Sequence, residues 1–188
     1  MGVMIAPVTI RQPNVIEFGV GKRETISRYL TRDDRTFVVC DPAVFEHIAD
    51  LKATIESQAA AVQWLTEVVP EPPLTEVERI TEVVERFAPT VIIGIGGGSS
   101  IDLAKVLSVL YRSTQSVTDI LGIDAVAGRS ARLIAIPTTS GTGSEVTPIA
   151  VLTDIKAHLK KGVVSGHLVP DVAIVDPELT RSAPASVT

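Results

Sequence analysis

The chain has 188 residues, of which 45% are hydrophobic and 21% charged, and its formal net charge at pH 7 is -5. This composition excludes the disordered, collagen-like and coiled-coil classes and predicts a compact globular protein. The balance is mildly acidic and no sustained run of Lys or Arg occurs, so nucleic acid and anionic membranes are not expected partners. A small molecule is the expected partner.

Cysteine content and hydropathy predict the compartment. Cys40 is the one cysteine of the sequence, so neither an intrachain disulfide nor a thiolate metal cluster is expected. Residues 1–11 lack the basic and apolar regions of a signal peptide, and no apolar run reaches the roughly 18 residues of a membrane span. We therefore expect a soluble, cytoplasmic protein.

The first third of the sequence reads as strands alternating with helices. Residues 8–11 and 15–18 are short strand patterns separated by a Pro-Asn turn, which predicts an N-terminal β-hairpin. A short helix is predicted over 22–30 and a buried strand over 36–41. Pro42 then opens a helix that is expected to run to about residue 60.

The remainder continues the alternation. After a strand at 62–65 and a rigid Pro-rich connection, Thr75 and Glu78 have the spacing of a capping box at the start of an amphipathic helix. Three further buried strands are predicted at 91–95, 133–136 and 172–175, with a helix over 101–111. The pattern indicates an α/β fold: a single domain over 1–188 with a doubly wound, mostly parallel sheet and an N-terminal β-hairpin.

A run of three glycines joins a buried strand to the following helix. Gly96-Gly97-Gly98-Ser99-Ser100 allows close approach of the backbone, and the free N–H groups of a helix N-terminus attract phosphate. The sequence therefore predicts a pyrophosphate site, with a tight turn that binds nothing as the alternative. A P-loop is excluded because no Gly-Lys-Ser/Thr ends the run.

Asp41 follows the strand predicted at 36–41, where ligands of open α/β sheets bind. An ordinary Rossmann fingerprint has its ribose-binding acid roughly 20 residues after the glycines, whereas Asp41 precedes them. The fold is therefore expected to be Rossmann-like with a non-standard strand order. A strand-end Asp before Pro is also a common helix N-cap, and both interpretations of Asp41 stay open.

A hydroxyl-rich loop follows the strand at 133–136. Residues 137–144 combine five Ser or Thr side chains with two glycines, and Thr147 adds another hydroxyl. Such a loop can surround a polar ligand, and it is expected at the same sheet edge as the glycine run. A solvent-exposed turn is the alternative interpretation.

Residues 94–105 and 137–147 together resemble the signatures of the iron-activated (group III) alcohol dehydrogenases, and the resemblance extends to about Thr180. It implies that the chain is the N-terminal cofactor-binding half of a two-domain enzyme. The family's helical C-terminal domain, which supplies an Asp and three His residues to a divalent metal, Fe or Zn, is expected to be absent. His47, His158 and His167 do not lie in the family's ligand motifs and are each expected to be a surface histidine or one with its hydrogen bonds satisfied, so no catalytic or metal-binding residue is predicted here.

The resemblance implies eleven contacts to NAD. It places the adenosine ribose at Asp41 and the pyrophosphate at Gly97, Gly98 and Ser99. It places the phosphates and the nicotinamide ribose near Asp102, Thr138, Thr139, Thr142 and Thr147, a lysine contact at Lys160 and an apolar contact at Leu179. The adjacent Lys161 leaves the register of the lysine open.

The resemblance implies that the full-length enzyme oxidises a small alcohol to an aldehyde or ketone with NAD. The alternatives are a stand-alone nucleotide-binding module without turnover, or a related metal-dependent dehydrogenase of glycerol, lactaldehyde or maleylacetate-reductase type. The 188-residue chain alone is expected to be inactive. The edge of the N-terminal hairpin is expected to support a homodimer or a self-associating fragment.

Overall fold

The computed structural model describes residues 9–181, 183 and 184. Its helices are α1 (Pro42–Phe45), α2 (Ala49–Gln58), α3 (Leu74–Phe87) and α4 (Gly98–Leu110). Short 3-10 helices cover Lys22–Arg28, Gly166–Leu168 and Pro177–Thr180. The strands are β1 (Val15–Phe18), β2 (Arg35–Cys40), β3 (Ala61–Leu65), β4 (Val91–Gly96), β5 (Gly122–Ile123), β6 (Arg132–Pro137), β7 (Ile149–Asp154), β8 (Leu159–Val164) and β9 (Val172–Val175).

Six strands form a parallel sheet in the order β1-β9-β6-β4-β2-β3. Successive residues of a strand point to opposite faces, and each face of this sheet is covered by its own apolar layer. Phe37, Ile92 and Leu133 pack with α3 and α4, whereas Val38 and Ile93 pack with α2 and the first 3-10 helix. The doubly wound α/β prediction is confirmed.

The predicted N-terminal hairpin is wrong for the residues that can be judged. Residues 9–14 form no strand, and residue 8 lies outside the described part of the chain. β1 instead pairs in parallel with β9, from Val15 beside Val172 to Phe18 beside Val175. The Val15 N–H donates to the Asp171 carbonyl at 3.2 Å, so the strand obtains its backbone partner from the far end of the sequence.

A second sheet, which the sequence analysis missed, covers α4. It has the order β5-β8-β7, with β7 and β8 antiparallel and joined by a turn at 155–158. Leu152 of β7 and Val163 of β8 belong to the same apolar cluster as Leu103 and Leu107 of α4. Helix α4 is therefore enclosed on both sides, and every residue from Ser100 to Leu110 is buried.

Three helix boundaries differ from those predicted. The single helix expected from Pro42 is interrupted after Phe45 and resumes at Ala49. The capping box is wrong, because Pro73 occupies the N-cap of α3 and accepts hydrogen bonds from two N–H groups of the first turn, which places Thr75 inside the helix. Helix α4 begins at Gly98, three residues earlier than expected. None of the helices in the described ranges is long and apolar enough to cross a membrane.

Candidate functional site

Three loops meet at one edge of the large sheet. β2, β4 and β6 are neighbours, and because they are parallel, Asp41, Gly97 and Thr138 follow their carboxyl ends side by side. The Asp41 N–H donates to Ile95 O at 2.9 Å, and the Thr138 N–H donates to Gly96 O at 2.9 Å. The ladder thus continues into the loops and fixes their relative position.

Two glycines permit this convergence. Gly96 has a φ of +143°, and a Cβ added there would lie 2.7 Å from Ser100 Oγ and 2.8 Å from the Asp41 Cβ. A Cβ added to Gly98 would lie 2.8 Å from Thr142 Cγ2. A side chain at either position would force the loops apart, so the glycine run is required by close approach as predicted.

The cleft formed by these loops has a volume of about 510 Å³. Gly97 is the N-cap residue of the 13-residue helix α4. Because glycine has no side chain, it accepts no hydrogen bond from the N–H groups of the first helical turn. Such groups attract anions. Seven of the predicted residues line this cleft: Asp41, Gly97, Gly98, Ser99, Thr138, Thr139 and Thr142.

Asp41 satisfies both interpretations left open by the sequence. Its Oδ1 accepts a hydrogen bond of 2.9 Å from the Ala43 N–H and so caps α1. The same carboxylate also lines the cleft beside the glycine run. Capping uses one acceptor position of a carboxylate that has about four, so the cap leaves acceptor capacity for a ligand.

Asp102 and Thr147 are not among the residues that line the cleft. Asp102 is 7% exposed, and its Oδ2 accepts from the Val151 N–H at 2.9 Å. Burial raises the pKa of Asp102, while the Lys105 ammonium, the Val151 N–H and the Ser144 hydroxyl act in the opposite direction. Thr147 O accepts a hydrogen bond of 2.9 Å from Lys105.

Lys105 is a residue that the sequence analysis did not single out. Its side chain is fully buried, and burial lowers the pKa of this lysine to about 8 against the opposing charges of Asp102 and Glu145. Its position in the middle of an apolar helix was the available indication, because lysine is almost never buried without a partner.

Lys160 and Leu179 lie away from the first cleft. Lys160 pairs with Glu71 at 2.6 Å, with the two side chains 64% and 49% exposed. Leu179 lines a second cavity of about 600 Å³ that shares Val44 with the first cleft. Because side chains alternate along β8, Lys160 and not Lys161 projects toward Glu71.

The three histidines, His47, His158 and His167, are exposed, as predicted. Within residues 9–181, 183 and 184, no group of three or more His, Cys, Asp or Glu side chains is placed to hold a metal ion. Cys40 is buried, and burial raises the pKa of its thiol to about 12.

These features are typical of α/β proteins that bind a phosphate-containing ligand at the carboxyl edge of a parallel sheet. A family model described as iron-containing alcohol dehydrogenase matches residues 13–177. The chain belongs to this family, which confirms the resemblance seen in the sequence.

Known relatives agree with the assignment. The chain is 38% identical over 159 residues to a sulfoacetaldehyde reductase of Bilophila wadsworthia, covering 84% of this chain and 41% of the relative. Its fold is similar to an alcohol dehydrogenase from Oenococcus oeni, with a TM-score of 0.87, 27% identity and coverage of 96% and 49%. It is also similar to a sulfoacetaldehyde reductase from Bifidobacterium kashiwanohense in complex with NAD+, with a TM-score of 0.84, 32% identity and coverage of 97% and 49%. The chain spans about half the length of these relatives or less.

Proposed function

We propose that this chain is a single NAD-binding α/β domain and acts as the cofactor-binding part of a metal-dependent alcohol dehydrogenase. The complete protein would interconvert a small alcohol and its aldehyde or ketone. The observation that carries the proposal is the convergence of Asp41, the glycine run and the Thr138 loop on one cleft, in a chain of this family. Bound NAD would supply the hydride acceptor for alcohol oxidation.

The cleft suggests how the cofactor lies across the sheet edge. The diphosphate would sit on the N-terminus of α4 at Gly97, Gly98 and Ser99, where a Cβ would otherwise fill the space. Asp41 lies on the β2 side of this point and would accept hydrogen bonds from the adenosine ribose. The second ribose would then extend toward β6, on the side where the Thr138 loop lies.

The cavity beside Leu179 supports a place for the adenine. It adjoins the first cleft through Val44, on the Asp41 side of the glycine run. Leu179 is only 8% exposed and would offer an apolar contact to the base. We propose that the two cavities together hold the whole dinucleotide.

Calorimetric titration with NAD tests the proposal. Gly98→Ala should weaken NAD binding at least tenfold, about 1.4 kcal/mol, because its Cβ enters the space of Thr142 and of the diphosphate. Gly128→Ala is the matched control, since a Cβ there meets nothing within 4 Å. If the wild-type chain shows no heat of binding with NAD, or if both variants bind alike, the proposed site is wrong.

The names of the relatives suggest two proposals for the direction of catalysis and the class of substrate. Similarity to the alcohol dehydrogenase supports the proposal that the complete protein oxidises an alcohol. Similarity to the two proteins named sulfoacetaldehyde reductase supports the alternative proposal that it reduces an aldehyde. Steady-state assays of the complete protein in both directions, with a panel of small alcohols and aldehydes, would distinguish these.

A second candidate function is a nucleotide-binding module without turnover. It is favoured by a formed cleft combined with the lack of a metal-binding group in the described residues. We expect the 188-residue chain alone to produce no NADH from alcohols with added Fe²⁺ or Zn²⁺. Metal-dependent NADH formation by the purified chain would refute this, and the coding sequence beyond Thr188 would show whether further ligands are supplied in the natural protein.

We further propose that the protein works in the cytoplasm as a homodimer. Its one cysteine is free and buried, which suits a reducing compartment. Among the described residues β1 is an edge strand, and we propose that a second copy pairs with its outer side.

A further inference from the structure

Lys105 uses all of its hydrogen-bonding capacity inside the protein. Its ammonium donates to Thr147 O at 2.9 Å, to Thr147 Oγ1 at 3.3 Å and to Ile149 O at 2.8 Å. An ammonium has three donors, and here all three go to one segment of chain. Lys105 therefore ties the middle of α4 to residues 147–149, where the hydroxyl-rich loop enters β7.

The neighbouring Asp102 is held in an unusual state. Its Oδ2 is fixed by the Val151 N–H, while its Oδ1 is buried and has no well-formed hydrogen bond among the described residues. The Lys105 Nζ lies 3.9 Å from Oδ1, close enough to compensate the charge without occupying the oxygen. A buried acceptor without a partner costs free energy, and such groups call for an explanation.

We propose that Lys105 is a positioning residue of the cofactor site, which holds Asp102 and Thr147 in place for the ribose on the nicotinamide side. The inference rests on the proposed NAD binding and extends it. Lys105 donates twice to Thr147 and lies 3.9 Å from Asp102 Oδ1, so both groups would be held in position when the ribose binds. Lys105 itself would not contact the cofactor; it would act on the cofactor through Asp102 and Thr147.

The order of the strands predicts that loss of Lys105 affects one half of the cofactor site more than the other. Asp41 follows β2, on one side of the glycine run, whereas the hydroxyl-rich loop that leads to Thr147 follows β6, on the other side. Loss of Lys105 should therefore impair the nicotinamide half of the site and spare the adenosine half. A residue that merely stabilised the fold would affect both halves alike.

Calorimetric titrations with NAD and with ADP test this selectivity. Lys105→Met, which keeps the length of the side chain but removes its donors, should weaken NAD binding about tenfold, equivalent to about 1.4 kcal/mol, while ADP binding stays within about twofold. Lys156→Met, at an exposed lysine in the turn of the β7–β8 hairpin, is the matched control and should change neither. Lys105→Gln keeps one amide donor, so it should lie between Lys105→Met and the wild type.

Equal weakening of NAD and ADP by Lys105→Met, with native circular dichroism, would overturn the inference and leave the proposed function intact. Unchanged NAD binding would overturn it as well. If the wild-type chain binds ADP and NAD with the same affinity, the nicotinamide half makes no contribution and the inference fails. If the wild-type chain binds neither, the proposed function itself fails.

A second measurement needs no substitution. The charged groups that act on the Lys105 ammonium are the carboxylates of Asp102 and Glu145, and burial lowers its pKa to about 8. A neutral amine has two N–H donors for three acceptors, so NAD affinity should fall as the pH rises through about 8, while ADP affinity stays level. Parallel pH profiles for NAD and ADP would overturn the inference.

Discussion

At the scale of single residues, Asp41 is expected to determine which dinucleotide the cleft accepts. Its carboxylate would accept hydrogen bonds from ribose hydroxyls and repel a 2′-phosphate. Arg23, which lines the cavity beside Leu179, is paired with Asp176 and Glu178. Asp41→Gly should weaken NAD binding and shift preference toward NADP by about one to two orders of magnitude, because bonds to charged groups contribute about 1.5–3 kcal/mol.

The cap formed by Asp41 calls for a matched variant. Asn is as good an N-cap as Asp, so Asp41→Asn keeps the cap of α1 and removes only the charge. It too should relieve the repulsion of NADP. If calorimetry gives the same ratio of NAD to NADP dissociation constants for all three proteins, Asp41 is only a helix cap.

Cys40 should be inert in the folded protein. The thiol is fully buried, and its pKa is raised to about 12, first by burial and then by the charge of Asp41. The nucleophilic thiolate is therefore scarce at pH 8. A chromogenic thiol reagent should react with Cys40 at once when the protein is unfolded in denaturant. With the native protein, the reaction should proceed only as fast as the protein transiently opens. Rapid stoichiometric reaction of the native protein would show that β2 is more accessible than the structure indicates.

At the scale of elements, the loop before α3 and the β7–β8 hairpin meet over the N-terminus of α4. The Glu71 N–H donates to Ser99 Oγ at 3.1 Å, and the Glu71 carboxylate pairs with Lys160. This ion pair neutralises the lysine that the family resemblance assigns to the cofactor. We therefore expect the loop to compete with NAD for Lys160.

Glu71→Gln should release Lys160 and tighten NAD binding about twofold to fivefold at low salt, since exposed ion pairs contribute about 0.2–1 kcal/mol. The gain should disappear in high salt, which screens exposed charges. Glu82→Gln, at an exposed pair on α3, is the control and should leave the NAD dissociation constant unchanged. The assignment of Lys160 would be contradicted if Glu71→Gln had no effect at any salt concentration.

At the scale of the whole molecule, a buried carboxylate joins distant segments at the sheet edge opposite the cleft. Asp34 is 5% exposed and accepts hydrogen bonds from Arg132 at 2.7 Å, Thr90 at 2.8 Å and Thr31 at 2.8 Å. Burial raises the pKa of Asp34, but these donors outweigh burial and hold the pKa below its usual value. One side chain thus links the starts of β2, β4 and β6.

Asp34→Asn should lower the free energy of unfolding by about 1–3 kcal/mol, because buried donors lose their charged acceptor. The folded-state pKa of Asp34 is depressed, so its contribution is fully present above the unfolded pKa of about 3.9 and is lost as the pH falls through the folded value. Urea unfolding should therefore show a difference between wild type and variant at pH 6 that shrinks below about pH 4. Asp33→Asn, at the exposed neighbour, should show no comparable difference.

Self-association is also a property of the whole molecule. β1 lies at the end of the sheet order in the described part of the chain, and Ile16 and Phe18 of this strand are 46% and 70% exposed. Sedimentation velocity should show a dimer that weakens when Ile16 and Phe18 are replaced by Lys, because charge on an edge strand opposes pairing. Ile123→Lys, on the second sheet, serves as the control. A wild-type chain that stays monomeric at high concentration would contradict this expectation.

Local pattern was sufficient for much of the fold and the candidate site. The run from β4 through the glycines into α4 could be read directly, because an apolar strand, a flexible turn and a helix each have a pattern within a few residues. Asp41 and the Thr138 loop could be placed at the same edge, since parallel strands bring their carboxyl ends together. These are properties of neighbouring residues, which a sequence displays.

Tertiary structure alone decided which strands pair and what surrounds a buried charge. β1 looked like half of a hairpin because a short alternating run does not specify its partner, and that partner is more than 150 positions away. The β7–β8 hairpin was missed because Lys160 and Lys161 interrupt its apolar pattern. Lys105 has three acceptors more than 40 positions ahead, so only the folded chain shows that this lysine lies within the core and joins α4 to Thr147. Non-local contacts determine these features, and they leave no periodic trace in the sequence.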